Sequence, residues 1–297
     1  MNAIEQLRRE VVTDLHKLST LKKVWPTWLE SIQSVFQNQQ PTNKTIRILG
    51  NSLYDIFSGT SDGSRSQKEV SGGGAAWEAL VCWYLNLCLI GSRTVVIKAK
   101  KAHIPESILH SISVNYGNFK SNTESDLLAI TFPLGTELNE SSYSSKTKLL
   151  AALEEVVHSK FHETELTVIQ CKTNWNDNAQ IPMLWDLIYS SKGFSSEATV
   201  GSHGYSHEQL KKFSYAFVTV PTVKPEGIKN TSTCVKRVQN LSGGNFWGLP
   251  SKTGVAMNVV DILDKNFKSA LNDYQKGWNF EISEKVKELN KCNYFKL

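Results

Sequence analysis

Cysteine is sparse in this chain and never closely paired. The five present, Cys82, Cys88, Cys171, Cys234 and Cys292, are odd in number and scattered, with no CxxC spacing. That argues against a disulfide framework and against a structural zinc site. Long apolar runs are missing too. The longest, "AAWEALVCWYLNLCLI", is interrupted by Glu78 and Asn86 and falls short of the ~20 apolar residues of a membrane span. The opening "MNAIEQLRREVV" is a charged helix pattern without a signal-peptide core, which predicts a soluble, cytoplasmic protein. Charge of one sign is only mildly in excess, with 33 Lys and Arg against 28 Asp and Glu, a net +5. Such a balance is compatible with a polyanionic partner and does not demand one. There is no G-x-S-x-G elbow, and "SGGG" and "SGGN" lack the lysine and pattern of a phosphate-binding loop.

What is present is globular in composition: 40% of the 297 residues are hydrophobic and 21% charged. Ile4, Leu7, Val11, Leu15, Leu18 and Leu21 recur at three- and four-residue spacing and predict an amphipathic first helix. Pro26 is expected to open a second, short helix, because proline fits a helix's first turn. Residues 58–74, "SGTSDGSRSQKEVSGGG", read as a polar, mobile loop. The helix expected over about 75–90 is apolar enough to be buried on most sides. "RTVVIKA", "SISVNYG", "DLLAITFP" and "ELTVIQCK" are strand-like, with the helix "YSSKTKLLAALEEVVHSKF" before the last. "AQIPMLWDLIYSS" follows as a short helix, "GFSSEATVGSHGYSHEQ" as a long loop and "FSYAFVTVPTV" as a β-prone strand. "NLSGGNFWGLPSKTG" reads as a glycine-rich loop before C-terminal helices. This alternation predicts an α/β fold: a central mixed sheet with helices on both faces, N-terminal helices and a C-terminal helical extension. The expected division is 1–70 as helical region and loop, 71–220 as core, and 221–297 as an extension packed on it.

Four residues break the apolar pattern together. Asp126 stands at the start of "DLLAITF". Gln170 and Lys172 lie two apart on a later strand, so period-two geometry puts both on one face. Glu78 sits in the first turns of the buried helix. Phosphodiester hydrolysis needs oxygen ligands for a hard divalent cation and a charge that orients water near the phosphate. A carboxylate, a second oxygen ligand and a lysine on neighbouring strands supply that set.

The order of these pieces resembles the PD-(D/E)XK nucleases, type II restriction endonucleases among them. That order is a helix with a glutamate, a hairpin ending in an acidic residue, a strand with acid-X-lysine, then a helix. The matching pieces are Glu78 in "GGGAAWEAL", Asp126 in "ESDLLAI" and "QCK" at 170–172, making 71–220 the expected nuclease core. The resemblance implies that Asp126 ligates Mg²⁺, assisted by the Gln170 side-chain oxygen and the Cys171 backbone carbonyl. Glu78 would join the shell directly or through water. Lys172 would position the attacking water and stabilise developing charge, and Gln180 resembles a glutamine used near such sites. Glutamine at 170 departs from the usual acid and removes one negative charge.

The implied function is Mg²⁺-dependent cleavage of double-stranded DNA by a homodimer that reads a palindromic site. A repair or anti-phage nuclease of low specificity, and a DNA-binding protein that no longer cuts, stand beside it. DNA contacts are expected from Asn174, Trp175, Asn176, Asn178, Asn245 and Lys252, with "KAKK" at 98–101 as phosphate contacts. Each residue also has a bland reading. Asp126 would end a strand, Glu78 would favour a helix dipole, and Lys172 would reach to solvent. His203 and His207, in "GSHGYSH", read as loop residues rather than metal ligands.

Overall fold

A computed structural model of the chain describes residues 1–59, 67–98, 101–116, 119–122, 125–135, 138, 142–173, 198–220, 231–232, 236, 244–246, 260–270, 277–287 and 289–297. The first helix, α1 (Ala3–Leu15), begins where the spacing placed it, with the Asn2 side chain accepting from the Glu5 N–H, but it stops at Leu15: Leu18 is the N-cap of the next helix and Leu21 belongs to that helix. Next, α2 (Ser19–Val35) carries Pro26 in its interior, not in a first turn. Proline there forfeits a helical hydrogen bond and costs about 3 kcal/mol. Leu21, Trp25, Trp28 and Ile32 bury one stripe on both sides of it, and at ~1.5–3 kcal/mol per large apolar side chain that burial wins.

The third helix, α3 (Asn43–Ser58), is closed at its start by a Thr42–Thr45 capping box. The fourth, α4 (Gln67–Cys88), runs its first eight residues through the stretch expected to be a loop. Its apolar part, including Trp77, Leu80, Trp83, Tyr84 and Leu85, is fully buried. Once that part is fixed, extension by one residue at a time is far easier than starting a helix, and the turns around Gly72–Gly74 follow.

The remaining elements are β1 (Thr94–Lys98), α5 (Glu106–Ser111), β2 (Ser113–Tyr116), β3 (Phe119–Asn122), β4 (Leu127–Thr131), α6 (Lys146–Ser159), β5 (Glu165–Thr173), β6 (Ala198–Val200), β7 (Lys212–Val220) and β8 (Gly244–Phe246). Helices also form at Val260–Asn266 and Gly277–Val286. The central sheet has the order β1-β4-β5-β7-β8. Its first two pairings are antiparallel and its last two parallel. The fold is therefore α/β, a mixed sheet flanked by helices. A smaller antiparallel sheet has the order β3-β2-β6. Two strands lie where loops were expected: β6 in the serine-rich segment and β8 in "NLSGGNFWG". Both are three residues long, too short to show a period.

Val95, Ile97, Leu128, Ile130, Leu166 and Val168 bury one face of the central sheet, and Val96, Leu127, Ala129, Ile169 and Cys171 the other. One apolar cluster runs from Ala3 to Phe295. The Trp83 indole N–H donates to the Phe295 carbonyl at 3.1 Å, tying the C-terminal turns to α4. Among the described residues no helix is long and apolar enough to cross a membrane.

The open edge of β1 is closed by side chains. Asn86 of α4 accepts from the Val96 N–H at 3.1 Å and donates to the Val96 carbonyl at 2.7 Å. Arg8, fully buried, donates to the Thr94 carbonyl at 2.9 Å and to Asn86 Oδ1 at 3.3 Å, and pairs with Glu5 at 3.0 Å. An edge strand's free amides and carbonyls need such partners when buried.

Candidate functional site

The end of the sheet where β4 begins and β5 finishes is built differently. Asp126 sits in a bend one residue before β4. Its Oδ2 accepts from the Cys171 N–H at 2.8 Å, standing in for a backbone carbonyl where the ladder runs out. Leu127 faces Ile169 in the register, so one further step sets Asp126 opposite Gln170. In an antiparallel pair a residue's N–H and C=O leave the strand on the same side. The Cys171 carbonyl is therefore directed past the end of β4, beside Asp126.

Lys172 continues the face of Gln170, and its Nζ lies 3.8 Å from Asp126 Oδ2. The strand beneath it is held from the other side, where Thr219 Oγ1 donates to the Lys172 carbonyl at 3.1 Å. Gln170 is only 2% exposed, and its Oε1 accepts no hydrogen bond from the described residues. A buried amide oxygen without a donor costs about 1–3 kcal/mol.

Burial pushes the Asp126 carboxyl up to about 6, against the pull of the Lys172 ammonium and the Cys171 N–H. Glu78 pushes it further and Lys98 opposes, so all four charged groups share one field. Burial also holds the Cys171 thiol well above its ordinary value, with the Asp126 and Glu78 charges adding to the effect. A thiol in that setting is packing and not a nucleophile.

Glu78 projects from α4 to Lys98, with Oε2 2.7 Å from Nζ. Lys98 Nζ also lies 3.5 Å from the Ala75 carbonyl. In the sequence Lys98 opens the basic tract "KAKK". The structure makes it the near partner of Glu78, and the signal was available: Lys98 is in phase with the buried Thr94 and Val96. Asp126, Gln170 and Lys172 thus come together, with the Cys171 backbone at their centre, and Glu78 stands beside them bound to Lys98.

Asn174, Trp175, Asn176, Asn178, Gln180 and Lys252 lie outside the described residues. Asn245 is a strand residue in β8, opposite Phe217, which is opposite Gln170 in turn. It belongs to a row across the sheet and not to a flexible loop. His203 and His207 are in a turn and a short 3₁₀ segment, His203 with a left-handed φ of 53°. Among the described residues no group of three or more His, Cys, Asp or Glu is placed to hold a metal. Any cation at the Asp126 end would draw on amide and backbone oxygens as well as carboxylate. No family model, no curated protein and no solved structure matches the chain.

Proposed function

We propose that this protein is a Mg²⁺-dependent endonuclease of double-stranded DNA, acting as a site-specific restriction enzyme of type II. The observation that carries the reading is the apposition of Asp126 and Lys172 across β4 and β5, with Gln170 in register between them. The pieces also occur in the order the nuclease resemblance requires: Glu78 on α4, Asp126 at the head of β4, Gln170 and Lys172 on β5.

The residues fit a hard cation. Asp126 offers a carboxylate, Cys171 a backbone carbonyl, and Gln170 an Oε1 without a donor among the described residues, all oxygen ligands of the kind Mg²⁺ takes. When bound there, the ion would act as a Lewis acid on the scissile phosphate. The chain's own part is positional. Lys172 is held beside Asp126 with a partly exposed ammonium, free to donate outward to a non-bridging phosphate oxygen. The Asp126 carboxylate accepts a hydrogen bond from the attacking water and aims its oxygen at phosphorus. As that oxygen bonds to phosphorus, the water releases a proton to solvent, the bond to the leaving oxygen breaks, and the leaving oxygen takes a proton from solvent water. Two copies related by a two-fold axis would cut both strands of a palindromic site.

Digestion of supercoiled plasmid by the purified chain tests this. Discrete fragments that need Mg²⁺ support a restriction enzyme, and a smear supports a nuclease of low specificity. DNA that binds the protein but stays intact would replace the reading with a non-cutting DNA-binding protein.

A further inference from the structure

Lys98 and its partner Glu78 are the charged residues of this centre that the proposed chemistry leaves unused. We infer that Lys98 is the site's resident second cation, its ammonium held where a second divalent ion would otherwise bind, so that the centre takes one exchangeable metal. The inference rests on the nuclease reading above. Lys98 Nζ is 2.7 Å from Glu78 Oε2 and 3.5 Å from the Ala75 carbonyl, a carboxylate and a backbone oxygen, the donors a hard divalent cation prefers. Its Cα faces Leu127, so Lys98 rises from the Val96 face of the sheet, opposite the face of Gln170, and its charge still acts on the Asp126 carboxyl. Only a fifth of either side chain is exposed, so the pair is shielded from competing water and salt.

Charge points the same way. Glu78 and Asp126 carry two negative charges, Lys98 and Lys172 two positive ones, and Gln170 adds none. One divalent ion can enter a neutral cluster that offers free oxygens at Asp126, Gln170 and Cys171. A second would have to expel Lys98.

The test counts Mn²⁺ bound per chain by paramagnetic resonance, without DNA and without activity. Wild type is expected to bind one ion, Lys98→Arg one, and Lys98→Met two, a doubling. Glu78→Gln is expected to keep the single ion, since Glu78 serves Lys98; this arm holds even if Lys98→Met fails to fold. Two ions on wild type, one on folded Lys98→Met, or loss of the ion in Glu78→Gln would overturn the inference while leaving the nuclease reading intact. No ion on wild type with one on Lys98→Met would overturn the inference as stated and remove Asp126 as a metal ligand. No ion on either would end both.

Discussion

Two amides lie buried against the same sheet, and they are treated in opposite ways. Asn86 spends its donor and acceptor on the free edge of β1 and receives Arg8 as well. Gln170, two strands along in the order, keeps its oxygen without a donor among the described residues, opposite a carboxylate that burial has made reluctant to ionise. The first arrangement satisfies every group it buries and reads as architecture. The second leaves oxygens and charge poorly compensated, which a folded chain tolerates where something else is to bind. Polarity in a core is therefore not the mark of a site; incomplete satisfaction beside an outward-facing lysine is.

The contrast can be broken or sharpened by substitution. The largest effect is expected at the unsatisfied end: Asp126→Ala should lower Mg²⁺-dependent plasmid cleavage by about 10³-fold, the range seen when one positioned catalytic group is removed. Unchanged cleavage rates would make Asp126 a strand cap and nothing more. At the satisfied end, Asn86→Leu should cost about 3 kcal/mol in urea unfolding, because Val96 and Arg8 lose buried partners. A midpoint equal to wild type would show that the edge of β1 is closed by other means.

Asp126→Asn should do the reverse at neutral pH and raise stability by about 1–2 kcal/mol, less than the full linkage value of its shift because the group is partly exposed. The sign follows from its position. The folded carboxyl titrates at about 6 and the ordinary value is 3.8, so the native state holds the proton more tightly. That stabilisation is complete below 3.8 and lost as pH rises through about 6. The gain from asparagine should accordingly appear at pH 8 and vanish near pH 4; a pH-independent difference in melting temperature would contradict it. The smallest effect is expected from Gln170→Met, which removes the orphan oxygen at similar volume. It should stabilise by about 1 kcal/mol while weakening Mn²⁺ binding by about tenfold.

Much of this was legible because strand geometry has a short period. Period two in "ELTVIQCK" was enough to set Gln170 and Lys172 on one face; Asp126 was grouped with them by the order of the pieces in the nuclease resemblance, since Leu127–Thr131 is buried throughout and shows no alternation. Glu165, an odd number of residues from Gln170 on the same strand, falls on the other face, where it binds Lys211 at 3.1 Å and Ser269 at 2.5 Å. Lys98 was hidden by its company, since "KAKK" looks like a solvated tract unless its phase with Val96 is weighed. The position of Pro26 and the early start of α4 were decided by tertiary burial, which local propensity does not contain. The strands β6 and β8 owe their existence to partners far along the chain: β6 to β2, and β8 to β7.

The central claim is that Lys172 faces Asp126 in order to act on a phosphodiester. The most direct measurement is cleavage of supercoiled plasmid in Mg²⁺ by wild type and by Lys172→Ala, with both proteins shown to be folded by circular dichroism. The account predicts cut DNA from the first and intact DNA from the second. Equal cutting by both, or none by wild type, would contradict it.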